Sequence, residues 1–155
     1  MKDPIHILLI EGRYYNRLAD ALLQGAETAL GEAGATWELA TAPGALEIPQ
    51  VLAAAIDAGA FDDSAAKPFH GAIALGCVIR GETTHYDIVA NESARALMDL
   101  ATQYALPVGN GILTVENEAQ AVARASATGK NKGREAASAC LEVLRAKREF
   151  GKRRR

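Results

Sequence analysis

Short apolar runs alternate with segments of helical period along almost the whole chain. The run IHILLI (5–10) has the length of a strand, and the segment behind it repeats leucine and alanine at helical spacing. The same pattern of strand, loop and helix recurs with WELATA (37–42) and with GAIALGCVI (71–79). The helices of these two later units are predicted to end near Ala58 and Tyr104.

A fourth strand is predicted in VGNGILTV (108–115), after Pro107. It leads into a short helix over AQAVARA (119–125), and a last amphipathic helix runs from about Arg134 to the basic end of the chain. Strands that are apolar on both faces and alternate with helices indicate a parallel sheet with helices on each side. The pattern therefore predicts an α/β fold, a three-layer α/β/α sandwich that forms a single domain over residues 1–155.

The composition is that of a globular chain. Of its 155 residues 49% are hydrophobic and 23% are charged, and the 5% of aromatic residues leaves the core to Ala, Val, Leu and Ile. No apolar stretch reaches the roughly 18 residues that span a membrane, and the start lacks a signal-peptide pattern. Cys77 and Cys140 lie far apart in apolar surroundings, which favours reduced thiols and a cytoplasmic location.

The formal charge of −2 is unevenly distributed. Residues 145–155 hold seven basic residues and Glu149, a net +6 that leaves −8 on the rest of the chain. A basic end on an acidic body can bind nucleic acid or lipid headgroups, but a solvated helix end, here a tail over about residues 151–155, is the commoner case. We therefore expect neither nucleic acid nor a membrane as a partner.

Polar side chains follow the predicted strands where each strand ends. RGETTHYD (80–87) comes directly after the third strand, PGALEIP (43–49) after the second, and Arg13 and Tyr14 after the first. In open parallel sheets ligands bind beyond the carboxyl ends of the strands. The sequence therefore predicts a site where these three loops converge.

The start of the loop 80–87 has the features of an anion site. Gly81 precedes residues that enter a helix, where backbone N–H groups without helical partners favour a phosphate or carboxylate of a small substrate. The hydroxyls of Thr83 and Thr84 add donors, although both residues equally suit an ordinary helix cap. GKNKG (129–133) lacks the spacing of a Walker motif, so a nucleotide site of that kind is not expected.

Five further side chains allow both a chemical and a structural interpretation. His85 can transfer protons near neutral pH, with Asp87 orienting it, or both can be structural. Glu47 can favour a helix dipole or accept hydrogen bonds from a polyol, and Tyr14 and Tyr15 can stack on a flat substrate or lie half-buried. The three histidines lack metal-ligand spacing, so no metal site is predicted.

Several phrases of the sequence together resemble one enzyme family. GRYYN, PGALEIP, GCVIRGETTHYD with VANE, PVGNGILTVEN and GKNKG, in this order, are similar to lumazine synthase over roughly residues 5–150. The resemblance implies a flavodoxin-like fold with a four-stranded parallel sheet, assembled as pentamers or as larger shells of pentamers. It implies that 5-amino-6-(D-ribitylamino)uracil and 3,4-dihydroxy-2-butanone 4-phosphate condense to 6,7-dimethyl-8-ribityllumazine, phosphate and water, without metal or cofactor. Riboflavin synthase is a candidate partner.

The resemblance also implies the roles of individual residues. His85 would be catalytic and transfer protons, while Tyr14 would stack on the pyrimidine. Family members often carry an aromatic residue at the position of Asn110 and a small one at that of Glu82. The other implied substrate-binding residues are Ala45, Leu46 and Glu47 beside the ribityl chain, Val78, Ile79, Asn110 and Lys132 around the ring, and Arg80, Gly81, Glu82, Thr83 and Arg124 at or near the phosphate.

Helix geometry predicts that one site draws on two copies of the chain. Tyr14 and His85 follow strands directly, whereas Arg124 lies near the end of a helix that starts at about Asn117. Seven or eight helical residues lead on the order of 11 Å back along the sheet. Arg124 and Lys132 are therefore expected to lie too far from the His85 of their own copy and close to that of the next, as the resemblance implies within a pentamer.

Two other functional classes compete with the enzyme. A non-catalytic flavin- or lumazine-binding module needs stacking and polyol contacts but no proton transfer, and the presence of His85, Arg124 and Lys132 argues against it. A phosphate-binding regulatory domain of flavodoxin-like type would usually carry an acidic cluster after its first strand, where this chain has Glu11 alone.

Overall fold

The computed structural model describes residues 4–154; the first three residues and Arg155, the end of the predicted basic tail, lie outside this range. Within it, 3-10 turns over Ala45–Glu47 and Lys152–Arg154 precede the second helix and follow the last. The predicted alternation of strands and helices is confirmed. The strands are β1 (His6–Gly12), β2 (Thr36–Ala42), β3 (Gly71–Ile79) and β4 (Val108–Val115), and the helices are α1 (Asn16–Glu32), α2 (Ile48–Asp57), α3 (His85–Gln103), α4 (Glu118–Ala125) and α5 (Lys132–Gly151).

The strands form one parallel sheet in the order β2-β1-β3-β4. Successive residues of β1 enter opposite layers, since Ile7 and Leu9 pack with α1, α4 and α5 while Leu8 and Ile10 pack with α2 and α3. Most of the buried residues are Ala, Leu and Ile, as the low aromatic content predicted. The three-layer, flavodoxin-like α/β fold predicted from the sequence is therefore confirmed.

The strands differ in how deeply they are buried. β1 is buried along its whole length and β3 over its first six residues, whereas Ala42 alone is fully buried in β2. The expectation that strands are buried on both faces holds for most of β1 and β3 but not for β2, nor for β4, where Asn110 and Thr114 are exposed. The reason is that β2 and β4 lie at the edges of the sheet, where a strand has a neighbour on one side and less helical cover.

α5 begins at Lys132, two residues before its predicted start. Asn131 caps it with left-handed backbone, φ +46°, and its Oδ1 accepts a hydrogen bond from the Arg134 N–H at 3.4 Å. Gly133 then lies so close to α1 that a Cβ would stand 2.0 Å from the backbone oxygen of Leu22. The cap and this close approach fix the start of α5 and, with it, the position of Lys132.

Replacing Gly133 with alanine is expected to destabilise the fold by about 3 kcal/mol, because the added methyl group would force α1 and α5 apart. Gly31→Ala is the matched control, since a Cβ at this helical position meets nothing within 4 Å. This control should change stability by about 1 kcal/mol or less, in the favourable direction. Thermal unfolding at equal protein concentration compares the two variants. Equal thermal unfolding midpoints for Gly133→Ala and Gly31→Ala would contradict the tight packing at Gly133.

The basic tail continues α5 as an exposed turn. Lys152–Arg154 form a 3-10 turn without buried residues, and the Lys152 Nζ lies 2.6 Å from Oε1 of Glu149. None of the helices described in residues 4–154 is long and apolar enough to cross a membrane.

Candidate active site

A cavity of about 380 Å³ opens at the carboxyl edge of the sheet, and we call it the histidine cavity. The loops that follow β1, β2 and β3 all contribute to its wall, so the structure brings together the three loops singled out in the sequence. The lining residues are Tyr14, Tyr15, Gly44, Ala45, Leu46, Glu47, Cys77, Val78, Ile79, Gly81, Thr83, His85, Tyr86 and Val89.

His85 is the first residue of α3, and its side chain is exposed. Its backbone N–H donates to Oγ1 of Thr83 at 3.3 Å, whereas Thr84, the residue at the cap position, makes no side-chain cap. Neither threonine therefore caps α3 in the ordinary way; the Thr83 hydroxyl instead closes a local turn before the helix. At Gly81 a Cβ would meet nothing within 4 Å, so the backbone at the start of this loop is open to a ligand.

Tyr14 presents most of its ring to solvent at the mouth of the histidine cavity. Its side chain is 76% exposed, and its ring meets that of Tyr15 edge-on, with centroids 4.9 Å apart and an interplanar angle of 74°. Tyr15 packs against the core, and burial, followed by the nearby Cys77, raises the pKa of its hydroxyl. Tyr15 is thus anchored in the core, whereas Tyr14 offers an aromatic surface to a ligand.

Cys77 forms part of the wall of the histidine cavity, although the sequence suggested a packed thiol. It is half-buried against the core of the α1 layer. Burial raises the pKa of this thiol to about 11, so the sulfur stays protonated and neutral near pH 7. Cys77 therefore contributes shape and apolar surface rather than a nucleophile.

Arg80, predicted as a substrate-binding residue, is engaged with its own loop and its neighbours. Its guanidinium lies 4.2 Å above the ring of Tyr86, its Nε donates to Oε2 of Glu116 at 2.8 Å, and its Nη1 lies 3.5 Å from Oδ1 of Asp87. Neither Arg80 nor Glu82 lines the histidine cavity. Asp87 faces Arg80 in the first turn of α3, so these contacts tie together the ends of β3 and β4.

A second cavity of about 270 Å³ lies between β4, α4 and α5, and we call it the arginine cavity. It brings together Asn110, Arg124 and Lys132, three of the five predicted residues that the histidine cavity lacks; Arg80 and Glu82 line neither cavity. The two cavities share no lining residue. The arginine cavity is lined by Asn110, Gly111, Ile112, Leu113, Thr114, Arg124, Lys132, Glu135, Ala136 and Ala139.

The arginine cavity carries an excess of positive charge. Lys132 Nζ donates to both carboxylate oxygens of Glu135, at 3.0 Å and 2.9 Å. Arg124 donates to the backbone oxygen of Gln120 at 3.1 Å and makes no ion pair with another residue in 4–154. Asn110 accepts from the backbone N–H of Ile112 at 3.0 Å. Two cations against one carboxylate favour an anionic ligand.

Sequence reasoning missed several wall residues of both cavities. Val89 follows His85 by four positions, so the helical spacing of α3 could have placed both on one face. Tyr86 belongs to the loop 80–87 that the sequence placed at the site, although no role was assigned to it. Thr114 had no such signal, because its position depends on how β4 packs. Within residues 4–154, no group of three or more His, Cys, Asp or Glu side chains is placed to hold a metal ion.

The chain matches the family model of 6,7-dimethyl-8-ribityllumazine synthase over residues 4–148. The enzyme of that name from Agrobacterium fabrum is 55% identical over 151 residues, which cover 97% of this chain and 99% of the relative. The 6,7-dimethyl-8-ribityllumazine synthase 1 of Rhizobium meliloti is 55% identical over 96% of this chain and 95% of its own. The synthase of Azorhizobium caulinodans is 56% identical over 92% and 86%, respectively.

Proposed function

Since the chain belongs to the 6,7-dimethyl-8-ribityllumazine synthase family and is therefore a transferase of riboflavin biosynthesis, we propose that its complete active site combines the histidine cavity of one copy with the arginine cavity of the next. The reaction condenses 5-amino-6-(D-ribitylamino)uracil with 3,4-dihydroxy-2-butanone 4-phosphate. The observation that carries the proposal is that the residues assigned to this reaction, Arg80 and Glu82 excepted, line two cavities without a shared residue.

The histidine cavity suits the pyrimidine substrate. The exposed ring of Tyr14 can stack on a flat heterocycle, and the half-buried Val78 and Ile79 give an apolar wall beside it. Leu46 and Glu47, in the 3-10 turn after β2, face the same space. The carboxylate of Glu47 can accept hydrogen bonds from ribityl hydroxyls, with Ala45 beside it.

The phosphate is proposed to bind where the two cavities meet. On one side the open backbone at Gly81 and the hydroxyl of Thr83 lie at the start of α3, whose dipole favours an anion. On the other side Arg124 of the next copy supplies a planar fork for phosphate oxygens. Glu82 contributes its backbone N–H, since its carboxylate would repel the ligand.

His85 is proposed to move the protons of the reaction. Its exposed side chain lies in the wall between the predicted ring site and the start of α3. Attack of the uracil amine on the ketone, loss of phosphate and closure of the second ring each require protons to leave nitrogen or carbon and reach oxygen. A histidine that exchanges protons near neutral pH can act in each step.

Replacing His85 with alanine is expected to lower turnover by about 10²-fold or less, the low end for loss of a proton-transfer group. The loss is modest because holding two reactive substrates together supplies much of the acceleration. Steady-state assays at saturating substrate measure it, and unchanged binding of the lumazine product shows that the cavity is intact. Full turnover of the variant would make His85 a structural residue.

A homo-oligomer built from pentamers is part of the proposal. α3 has nineteen residues but buries only Val89, Ser93 and Leu97, and it leaves Ile88 52% and Met98 63% exposed. Such an apolar surface on a long helix favours contact with another copy. A heterologous contact that closes into a ring would join two different cavities in this way, and the number five follows from the family resemblance.

A cytoplasmic location is proposed from the state of the two cysteines. Cys77 and Cys140 are both free, which suits a reducing compartment such as the cytoplasm. Association with riboflavin synthase stays a prediction.

Mixing the protein with both substrates tests the proposed function directly. Formation of the fluorescent product 6,7-dimethyl-8-ribityllumazine, by an assembly whose mass is a multiple of five chains in native mass spectrometry, is the expected result. Binding of the product without turnover would favour the non-catalytic module instead. An active monomer would contradict the shared site.

A further inference from the structure

An ion pair between a buried carboxylate and a partly exposed guanidinium lies at the end of β1, directly before Tyr14. Glu11 is 3% exposed, and its two carboxylate oxygens lie 2.9 Å and 3.3 Å from Nε and Nη2 of Arg13. Burying a carboxylate is costly unless the geometry and hydrogen bonds of its ion pair are good. The forked pairing seen here is the arrangement in which a guanidinium and a carboxylate bind most strongly.

Arg13 also reaches forward to α1. Its Nη1 donates to Oδ1 of Asp20 at 2.7 Å and to the backbone oxygen of Asn16 at 3.4 Å. The hydrogen bonds to Glu11 and then Asp20 raise the pKa of the Arg13 guanidinium further above its usual value, so the group stays charged. Arg13 thereby joins the end of β1 to the first two turns of α1, and the loop between them carries Tyr14.

The residue between Glu11 and Arg13 fixes a second loop of the histidine cavity. A Cβ on Gly12 would stand 2.8 Å from the carbonyl carbon of Gly44 and 3.0 Å from the nitrogen of Ala45, so the backbones after β1 and β2 touch here. The Glu11–Arg13 pair is therefore anchored against the turn that leads to Leu46 and Glu47. A shift of the loop after β1 would therefore displace the loop after β2.

Tyr14 itself has few contacts that could fix its ring. The side chain is 76% exposed, and its ring contact is the edge-on one with Tyr15. The position of its ring in the histidine cavity therefore depends on the backbone that bears it. That backbone is held on one side by Arg13 and on the other by the first turn of α1.

We propose that Glu11, Arg13 and Asp20 are positioning residues that hold the ring of Tyr14 where it stacks on the heterocycle of substrate and product. The inference rests on the proposed function, because it assumes that Tyr14 stacks on this ring. Arg13 and its partners act through Tyr14 and need not touch the ligand.

A double-mutant cycle on the assembled full-length protein tests this inference. Equilibrium binding of purified 6,7-dimethyl-8-ribityllumazine, followed by its fluorescence, is compared for wild type, Arg13→Gln, Tyr14→Ala and the double variant. Each single change is expected to weaken binding by roughly three- to tenfold. If Arg13 acts through Tyr14, the double variant binds no more than about twofold more weakly than Tyr14→Ala.

Two further variants keep the test decisive if Arg13→Gln fails to fold. Asp20→Asn changes an exposed carboxylate, leaves the Glu11–Arg13 pair intact and should weaken binding by about two- to fivefold. Arg134→Gln is the control, because Arg134 forms an exposed arginine–glutamate pair with Glu32 and neither residue lines either cavity, and it should bind the product like wild type.

The outcomes separate this inference from the proposed function. Wild-type protein that fails to bind the lumazine overturns both. Wild-type binding with unchanged affinity in Arg13→Gln and Asp20→Asn overturns the positioning role alone. The positioning role is also overturned if Arg13→Gln weakens lumazine binding by the same factor with and without the Tyr14 ring. Arg13 would then act on the ligand or on the fold by another route.

Discussion

Replacing Arg124 with alanine is expected to raise the KM for 3,4-dihydroxy-2-butanone 4-phosphate by about ten- to a hundredfold, the effect of losing one charge-assisted contact to a phosphate. The KM for the ribitylaminouracil should change little, because Tyr14 and Glu47 line the other cavity. In the described chain the guanidinium donates to the backbone oxygen of Gln120 and has no carboxylate partner. Its removal therefore leaves no unpaired buried charge.

Arg124→Lys is the matched variant for this experiment. It keeps the charge but loses the planar fork, so its KM for the phosphate substrate should lie between those of wild type and Arg124→Ala. Varying each substrate in turn while the other is saturating separates the two KM values. Equal weakening of both substrates by Arg124→Ala would show that the change disturbs the fold or the assembly rather than a phosphate contact.

The three-layer order of the fold was predictable because each strand can be recognised from its local run of apolar residues. β1 and β3 are continuous apolar runs that end in turn residues, and both became central strands buried on both faces. β2 shows the limit of this reasoning. The run WELATA has the length of a strand, but its residues do not indicate whether the strand lies at the edge or in the centre of the sheet. The start of α5 was missed because Asn131 and Gly133 act through a left-handed cap and through contact with α1.

The site was predictable to the extent that it follows from topology. Loops after parallel strands meet at one edge, so Tyr14, Glu47 and His85 could be placed together from order alone, and they line one cavity. Side-chain partners were not predictable in this way. Arg80 belongs to the same loop as Gly81, Thr83 and His85, yet its guanidinium is held by Tyr86 and Glu116 instead of lining the cavity. Which way a long side chain turns depends on residues that are distant in sequence.

Mixed oligomers of two defective chains are expected to be more active than assemblies of either chain alone. His85→Ala chains keep Arg124, and Arg124→Ala chains keep His85, so an interface that joins one intact residue from each chain is complete. If one site takes His85 from one copy and Arg124 from the next, random assembly of equal amounts should restore about one quarter of the wild-type activity per site. The assay is made with the phosphate substrate far below the KM of the Arg124→Ala variant.

Co-expression with two different affinity tags shows whether the chains have mixed, and the same chains combined after separate assembly are the control without exchange. His85 and Arg124 lie in cavities that share no residue, and in the proposed site each residue is supplied by a different copy. Recovery must then rise with the fraction of mixed interfaces. Activity that stays at the level of the separate variants, in assemblies proven to be mixed, would mean that each chain builds its whole site alone.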